Sequence, residues 1–417
     1  MHLLSLPRHR IETTLSDYAR IIGSLAGPSH HLDAIQRFEH AFAEYVGVRH
    51  AIAVSSGRLG IHLILENLSL SPGDEVIVPS FNLFAAIERF CQFGLVPKFS
   101  DIRRDDLNID VDAAERLITP RTKILLATHM FGHPANMRRL VELSERHNLF
   151  LLEDCAHALG SQYAGQYVGT FGKASIFSFS VLKLVTTFGG GMIATNDDAL
   201  AERIRKRLTS LRDQQPRPAG IKKAIVGSVM DVATRRLVFS FGAWPALRLI
   251  RTFRPTAQQE MMTEAPHVDR DFDPANVPPL HSFQARLGNS QLARVEDFIA
   301  RRREVGVWLD EELARIDQVT TLTPADGCRH NGLYYGILAD RPAELSAFLF
   351  KRGVDSETSE YLNCADLAMY RDMRIDCPVA RDVQSRILRI PNYPALSHRD
   401  VKRIARTIAE FYRQERA

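Results

Sequence analysis

Residues 175–198 read "SIFSFSVLKLVTTFGGGMIATNDD". An apolar run carries one cation, Lys183. Two threonines and the triplet Gly189-Gly190-Gly191 follow, and then a second apolar run ending in Thr195-Asn196-Asp197. Burial disfavours an ammonium ion, so an amine at an apolar strand end is neutral, and nucleophilic, at a lower pH than an ordinary lysine. The glycines let the backbone pass close to whatever that amine holds.

The chain on either side of this stretch sets the fold. "HAIAVSSG" leads into "RLGIHLILENL", "DEVIVPS" into "NLFAAIERFCQFG", and "TKILLATHMFG" into "NMRRLVELSERHN"; "LFLLEDCAHALG" then enters a loop. Short apolar strands thus alternate with helical patterns across short turns, which predicts an α/β fold with a mostly parallel sheet covered by helices. Ligands of such sheets sit at the carboxyl ends of the strands. The segments "SSGR", "PSFN", "THMFGHP" and "EDCAH" all fall there.

Beyond about residue 200 the pattern changes. Residues 199–212 read as a basic helix, and 214–280 as a proline-edged segment. "SFQARLGNSQLARVEDFIARRREVGVWLDEELARI" reads as one long helical stretch, and the remainder mixes short strands with helices. The expected division is a large cofactor-binding domain over 1–213, a basic amphipathic insertion and linker over 214–280, and the long helix with a smaller α+β domain over 281–417. The 417 residues allow a large core, and 45% hydrophobic with 24% charged residues is an ordinary globular balance. A net charge of +4 gives no reason to expect nucleic-acid binding. Five scattered cysteines show no metal-binding spacing and point to a reducing, cytoplasmic setting. Neither a signal peptide nor a membrane-spanning run is expected.

A lysine that forms a Schiff base with an aldehyde cofactor, most commonly pyridoxal 5′-phosphate, needs three further groups. A carboxylate keeps the ring nitrogen protonated, N–H groups and hydroxyls hold the phosphate, and something packs on the ring face. Asp154 ends an apolar strand. Ser55-Ser56-Gly57 joins a strand to a helix whose Arg58 and Leu59 amides would face an anion, and Ser178 adds a hydroxyl. Taken singly, each has a plainer explanation: a snorkelling lysine, a turn, a cap. In order, at successive strand ends, they point to one site.

That ordered set resembles the DegT/StrS-type sugar aminotransferases, of the fold-type-I group. The matching pieces include "GDEVIVPSF", "THMFGHPANM", "LLEDCAHALGSQY", "FSFSVLK" and "GGMIATND". The resemblance implies that Lys183 carries pyridoxal 5′-phosphate and shuttles the proton, that Asp154 pairs with the ring nitrogen, and that His157 lies beside the ring. Ser178 with the backbone at Gly57, Arg58 and Leu59 would hold the phosphate. It further implies a homodimer, glutamate as amino donor and a nucleotide-linked keto-sugar as acceptor. The alternatives are a dehydratase or lyase on a related carbohydrate, and a regulatory or scaffold protein at a membrane surface. Relatives with histidine in place of the lysine dehydrate; Lys183 favours amino transfer.

Several positions depart from the family pattern. Arg58 replaces a small hydroxyl residue, and Leu83 stands where a ring-stacking aromatic is usual, with Phe81 and Phe84 nearby. Phe188-Gly189 replaces Gly-Glu, and the substrate-facing region reads "ETSEYLNCADLAMYRDM". Residues 217–254 hold eight basic residues against one acid, Asp231, with aromatic and aliphatic residues between them. This composition suits an anionic membrane surface, a lid or dimer packing, or the phosphates of a substrate.

Overall fold

The computed structural model describes residues 4–25, 32–212, 220–253, 272–358, 360–373 and 375–414. The ends of the basic segment, including Arg217 and Arg254, lie outside them. The large domain is built on seven strands: β1 (His50–Val54), β2 (Glu75–Pro79), β3 (Val96–Ser100), β4 (Thr122–Thr128), β5 (Phe150–Asp154), β6 (Ala174–Ser178) and β7 (Gly191–Thr195). Their spatial order is β1-β7-β6-β5-β4-β2-β3. β2 to β6 pair in parallel, while β7 runs antiparallel to both of its neighbours. Strands buried on both faces read as continuous apolar runs; every residue of β2 and β7 is buried.

Register brings the site together. Asp154 lies opposite Thr128 and Ile176, Ser178 opposite Gly191, and Gly191 opposite Val54. The exits of β1, β4, β5 and β6 therefore share one edge with the entrance of β7. A Cβ on Gly191 would lie 2.8 Å from Gly57 N and from Phe177 O, so a side chain there would push β1 and β6 apart.

Helices α1 (Leu15–Leu25), α2 (Leu32–Val46), α3 (Gly57–Glu66) and α4 (Phe84–Gln92) precede α5 (Met137–Arg146) and α6 (Asp198–Arg212). α3 starts at Ser56, whose Oγ accepts from Leu59 N at 3.1 Å, and α5 starts at Asn136, which accepts from Arg139 N.

The basic segment forms α7 (Gly220–Thr234), a π-turn over Phe239–Ala243 and α8 (Trp244–Phe253). It bridges the two domains. Ala224 of α7 joins a cluster with Ile11, Ile21 and Phe188, and buried Asp231 bonds Thr13, Tyr18 and Arg235. Further along, Arg236 pairs with Asp400 at 2.7 Å and the Trp244 and Phe350 rings meet at a tilt with centroids 4.1 Å apart.

The predicted single helix after residue 281 is two helices, α9 (Ser282–Leu292) and α10 (Val295–Leu313), broken at Ala293-Arg294. The two serve different cores, which explains the break. Leu287 of α9 packs with Phe188 and Phe283, whereas Val305, Leu309 and Leu313 of α10 join the small-domain core. That core lies between α10, α11 (Pro342–Lys351), α12 (His398–Arg413) and the sheet β8 (Val319–Thr321), β9 (Tyr335–Ala339), β10 (Glu357–Thr358), β11 (Ile387–Ile390), in order β8-β9-β11-β10. The three-part division remains a proposal, and α9 packs on α2, on the large-domain side.

Candidate active site

Lys183 follows β6 in a loop and is partly exposed. Burial holds its amine down to about 8; the carboxylates of Glu360 and Asp154 oppose that shift, and Arg389 reinforces it. Asp154 is buried at the exit of β5. Burial raises its pKa, against the Ala156 amide at 2.9 Å and the charges of Lys183 and His129. A buried carboxylate with one protein hydrogen bond among the described residues suits a cationic partner in front of it.

Its neighbour Glu153 points to the other face of the strand. There it accepts the amides of Gly169, Phe171 and Gly172 and a bond from His129 Nε2 at 3.2 Å. His129 Nδ1 in turn accepts from Ala135 N. Glu153, His129 and Cys155 place their ligand atoms close together, but the Glu153 oxygens are already saturated by amide donors. This network is scaffold behind Asp154.

His157 lies one turn beyond Asp154, buried. Burial, with Lys183 and Arg389 nearby, keeps it well below the usual imidazole range, so it is neutral. The Tyr361 hydroxyl bonds its Nε2 at 2.8 Å, and the rings of Tyr334 and Tyr361 meet it edge-on at 5.1 and 5.3 Å. Tyr334 also lies under Lys183, with Nζ 5.9 Å from the ring centroid.

On the other side, the start of α3 faces Ser178: a Cβ on Gly57 would be 3.7 Å from Ser178 Cβ. Of the amides expected to face an anion, that of Leu59 is taken by Ser56 Oγ and its side chain is buried. The N-cap therefore corrects the sequence expectation at this position. Gly57 and Arg58 remain at the helix start, and the Arg58 side chain is exposed. The fixed dipole of the helix start and the Ser178 hydroxyl fit a phosphate. Phe81 and Phe84 are buried, while Leu83 is 39% exposed.

Phe188 adopts φ +57° in the loop after Lys183. A non-glycine residue there costs about 1 kcal/mol or more, and burial of its ring at 4% exposure offsets this. Gly227 of α7 lies on the ring: a Cβ there would be 2.0 Å from Phe188 Cγ. The unusual phenylalanine and the unusual helix are one packing unit.

Four residues beside the amine went unmarked in the sequence: Tyr334, Glu360, Tyr361 and Arg389. Arg389 is buried, pairs with Glu357 and lies 3.6 Å from Glu360. Its guanidinium sits 4.7 Å from the Tyr334 ring centroid, and Glu357 also takes Arg8 at 2.7 Å. Leu362-Asn363 pairs with Phe81-Asn82, which brings this segment to the cleft. The signal available was the atypical "ETSEYLN" run.

Residues 27–228 and 263–409 match the model of the DegT/DnrJ/EryC1/StrS aminotransferase family. The chain belongs to this family and is an enzyme. It is similar to the GDP-perosamine synthase of Escherichia coli O157:H7, 30% identical over 381 residues covering 91% of this chain and 90% of that one. A GDP-perosamine synthase of Vibrio cholerae is 29% identical over 385 residues, with 91% and 90% covered. Among solved structures, the aminotransferase TlmJ from Streptoalloteichus hindustanus superposes with a TM-score of 0.78 at 24% identity, covering 99% of this chain and 100% of that one. At that identity the likeness shows the fold. Residues 229–262, between the two matched stretches, lie within the 214–280 insertion and linker.

Proposed function

We propose that the protein moves an amino group from an amino acid, glutamate, to a nucleotide-linked keto-sugar, with pyridoxal 5′-phosphate held at Lys183. The observation that carries this reading is the lysine with its amine held at about 8, close enough to buried Asp154 that the two charges perturb one another. When bound, the cofactor supplies an aldehyde for the lysine and a protonated ring that takes up negative charge. Lys183 Nζ accepts and returns the proton of the carbon that loses or gains nitrogen. Asp154 holds the proton on the ring nitrogen. His157, fixed by Tyr361, sits beside the ring, and Leu83 covers a ring face. Gly57, Arg58 and Ser178 hold the phosphate. The acceptor class rests on the relatives named GDP-perosamine synthase. Glu360, Tyr361 and Arg389 would meet its sugar.

We further propose a homodimer, and contact of the bridging segment with an anionic membrane surface. Ile221, Ile225, Val229, Leu237, Phe241 and Phe253 are exposed, and the only acid of the segment, Asp231, is buried. No described helix is long and apolar enough to cross a membrane. Flotation with anionic liposomes tests the contact; equal behaviour of a protein lacking 217–254 would rule it out.

For the reaction itself, the purified protein should show a visible absorbance band that glutamate bleaches. The bleached protein should then pass its nitrogen to a nucleotide-linked keto-sugar in a single turnover. A band unaffected by every amino donor would count against amino transfer and favour a dehydratase.

A further inference from the structure

Helix α9 has two faces with different tasks. Gln284 and Gln291, two turns apart on one side, hold the loop that carries Lys183. Gln284 Nε2 donates to Thr187 O at 3.1 Å, and Gln291 Oε1 accepts from Thr186 N at 2.9 Å. Arg286, Asn289 and Ala293 project about half a turn away, on the opposite face. They open into a groove of about 730 Å³ whose other walls come from α1 and α2. The groove is therefore separated from the lysine by the body of the helix.

Its chemistry is one-sided. Arg20 of α1, Arg37 of α2, Arg286 of α9 and Arg294 just beyond α9 line it, together with hydroxyl and amide groups, and no carboxylate among the described residues lines it. Asp17 is buried behind the wall, where it takes Arg294 at 2.7 Å and the Ser290 hydroxyl at 2.8 Å. The guanidinium groups of Arg20, Arg37 and Arg286 have no hydrogen bond or ion pair to any described residue. Elsewhere surface arginines do find acids, as in Arg49–Asp198, Arg139–Asp112, Arg207–Glu66 and Arg381–Asp366. Several guanidinium ions around one concavity repel one another unless an anion lies between them. Their planar forks match phosphate oxygens two at a time. The volume is that of a nucleotide-sized ligand.

We propose that this groove is a second ligand site that binds a diphosphate group, distinct from the site of amino transfer and independent of which sugar is the acceptor. Soluble diphosphates and the phosphates of a lipid surface share this chemistry.

The test is calorimetric titration of the cofactor-loaded protein with inorganic pyrophosphate and with GDP. Both should bind, more weakly as salt is raised. Arg37→Ala and Arg286→Ala should each lower affinity about tenfold, the effect of losing one charge-assisted contact, with the visible cofactor band unchanged. Ser178→Ala, which alters the phosphate-holding end of the catalytic cleft, should bind pyrophosphate as tightly as wild type, which separates this groove from that cleft. Displacement of pyrophosphate by vesicles containing phosphatidylglycerol, but not by phosphatidylcholine alone, assigns the natural phosphate to a lipid; no displacement assigns it to a soluble diphosphate. Undiminished binding in Arg37→Ala and Arg286→Ala overturns the proposal. So does an absence of pyrophosphate binding while these substitutions split an oligomer, since the groove would then be a contact between copies of the chain.

Discussion

If Lys183 is tuned by its surroundings, the cofactor-free protein should titrate it near pH 8 instead of 10.5. At pH 7 about one amine in ten would then be neutral, against about one in three thousand for an ordinary lysine, a gain of about 300-fold in nucleophile. The corresponding free energy is about 3 kcal/mol, and its sign follows from the direction of the shift. A lysine with its folded pKa below its unfolded one carries the full cost of burial below pH 8, and loses that cost as pH rises from 8 to 10.5. Lys183→Met without cofactor should therefore be more stable than wild type at pH 7, by up to about 3 kcal/mol. The gap should close above pH 10. Pulse acetylation read by peptide mass spectrometry reports the amine directly. Glu360→Gln removes a charge that raises the pKa and should move the midpoint down, while Arg389→Met removes one that lowers it and should move the midpoint up. A wild-type midpoint near 10, or an upward shift in Glu360→Gln, would refute the reasoning.

Three further outcomes are expected. Lys183→Ala should fold, by circular dichroism, yet show no visible band and no single-turnover amino transfer. Gly227→Val places carbon where the Phe188 ring lies; it should cost about 1–3 kcal/mol and expose α7 to limited proteolysis before the rest of the chain. Tyr361→Phe leaves His157 Nε2 without its 2.8 Å partner, a loss of about 1–3 kcal/mol that thermal melts should register. Its KM for the acceptor should shift more than its rate of reaction with glutamate.

Much of the fold and of the candidate site was legible because local rules produce the sheet and its edge. Alternating strands and helices predicted a parallel sheet, and such a sheet places its loops at one edge, so Lys183, Asp154 and Ser178 could be read before any contact was known. Leu59 was misjudged because a cap is a hydrogen bond: Ser56 Oγ, three residues back, takes the amide that seemed open to an anion. In the sequence Phe188 stands only as a departure from the Gly-Glu pattern; its place is explained by Gly227, far along the chain, which packs on its ring.

Tyr334, Tyr361, Glu360 and Arg389 come from segments more than 150 residues after Lys183 in the sequence, and no periodicity or spacing links them to it. They reach the amine because the Leu362-Asn363 strand pairs with Phe81-Asn82 and because β9 and β11 lie side by side. The sequence by itself determined the sheet, the lysine and its carboxylate, since these depend on strand patterning and neighbouring residues. Only the tertiary structure decided which charges tune the amine, what the basic segment leans on and where the arginines gather. Those properties belong to distances between residues remote in the chain, and such distances exist only once the two domains have packed.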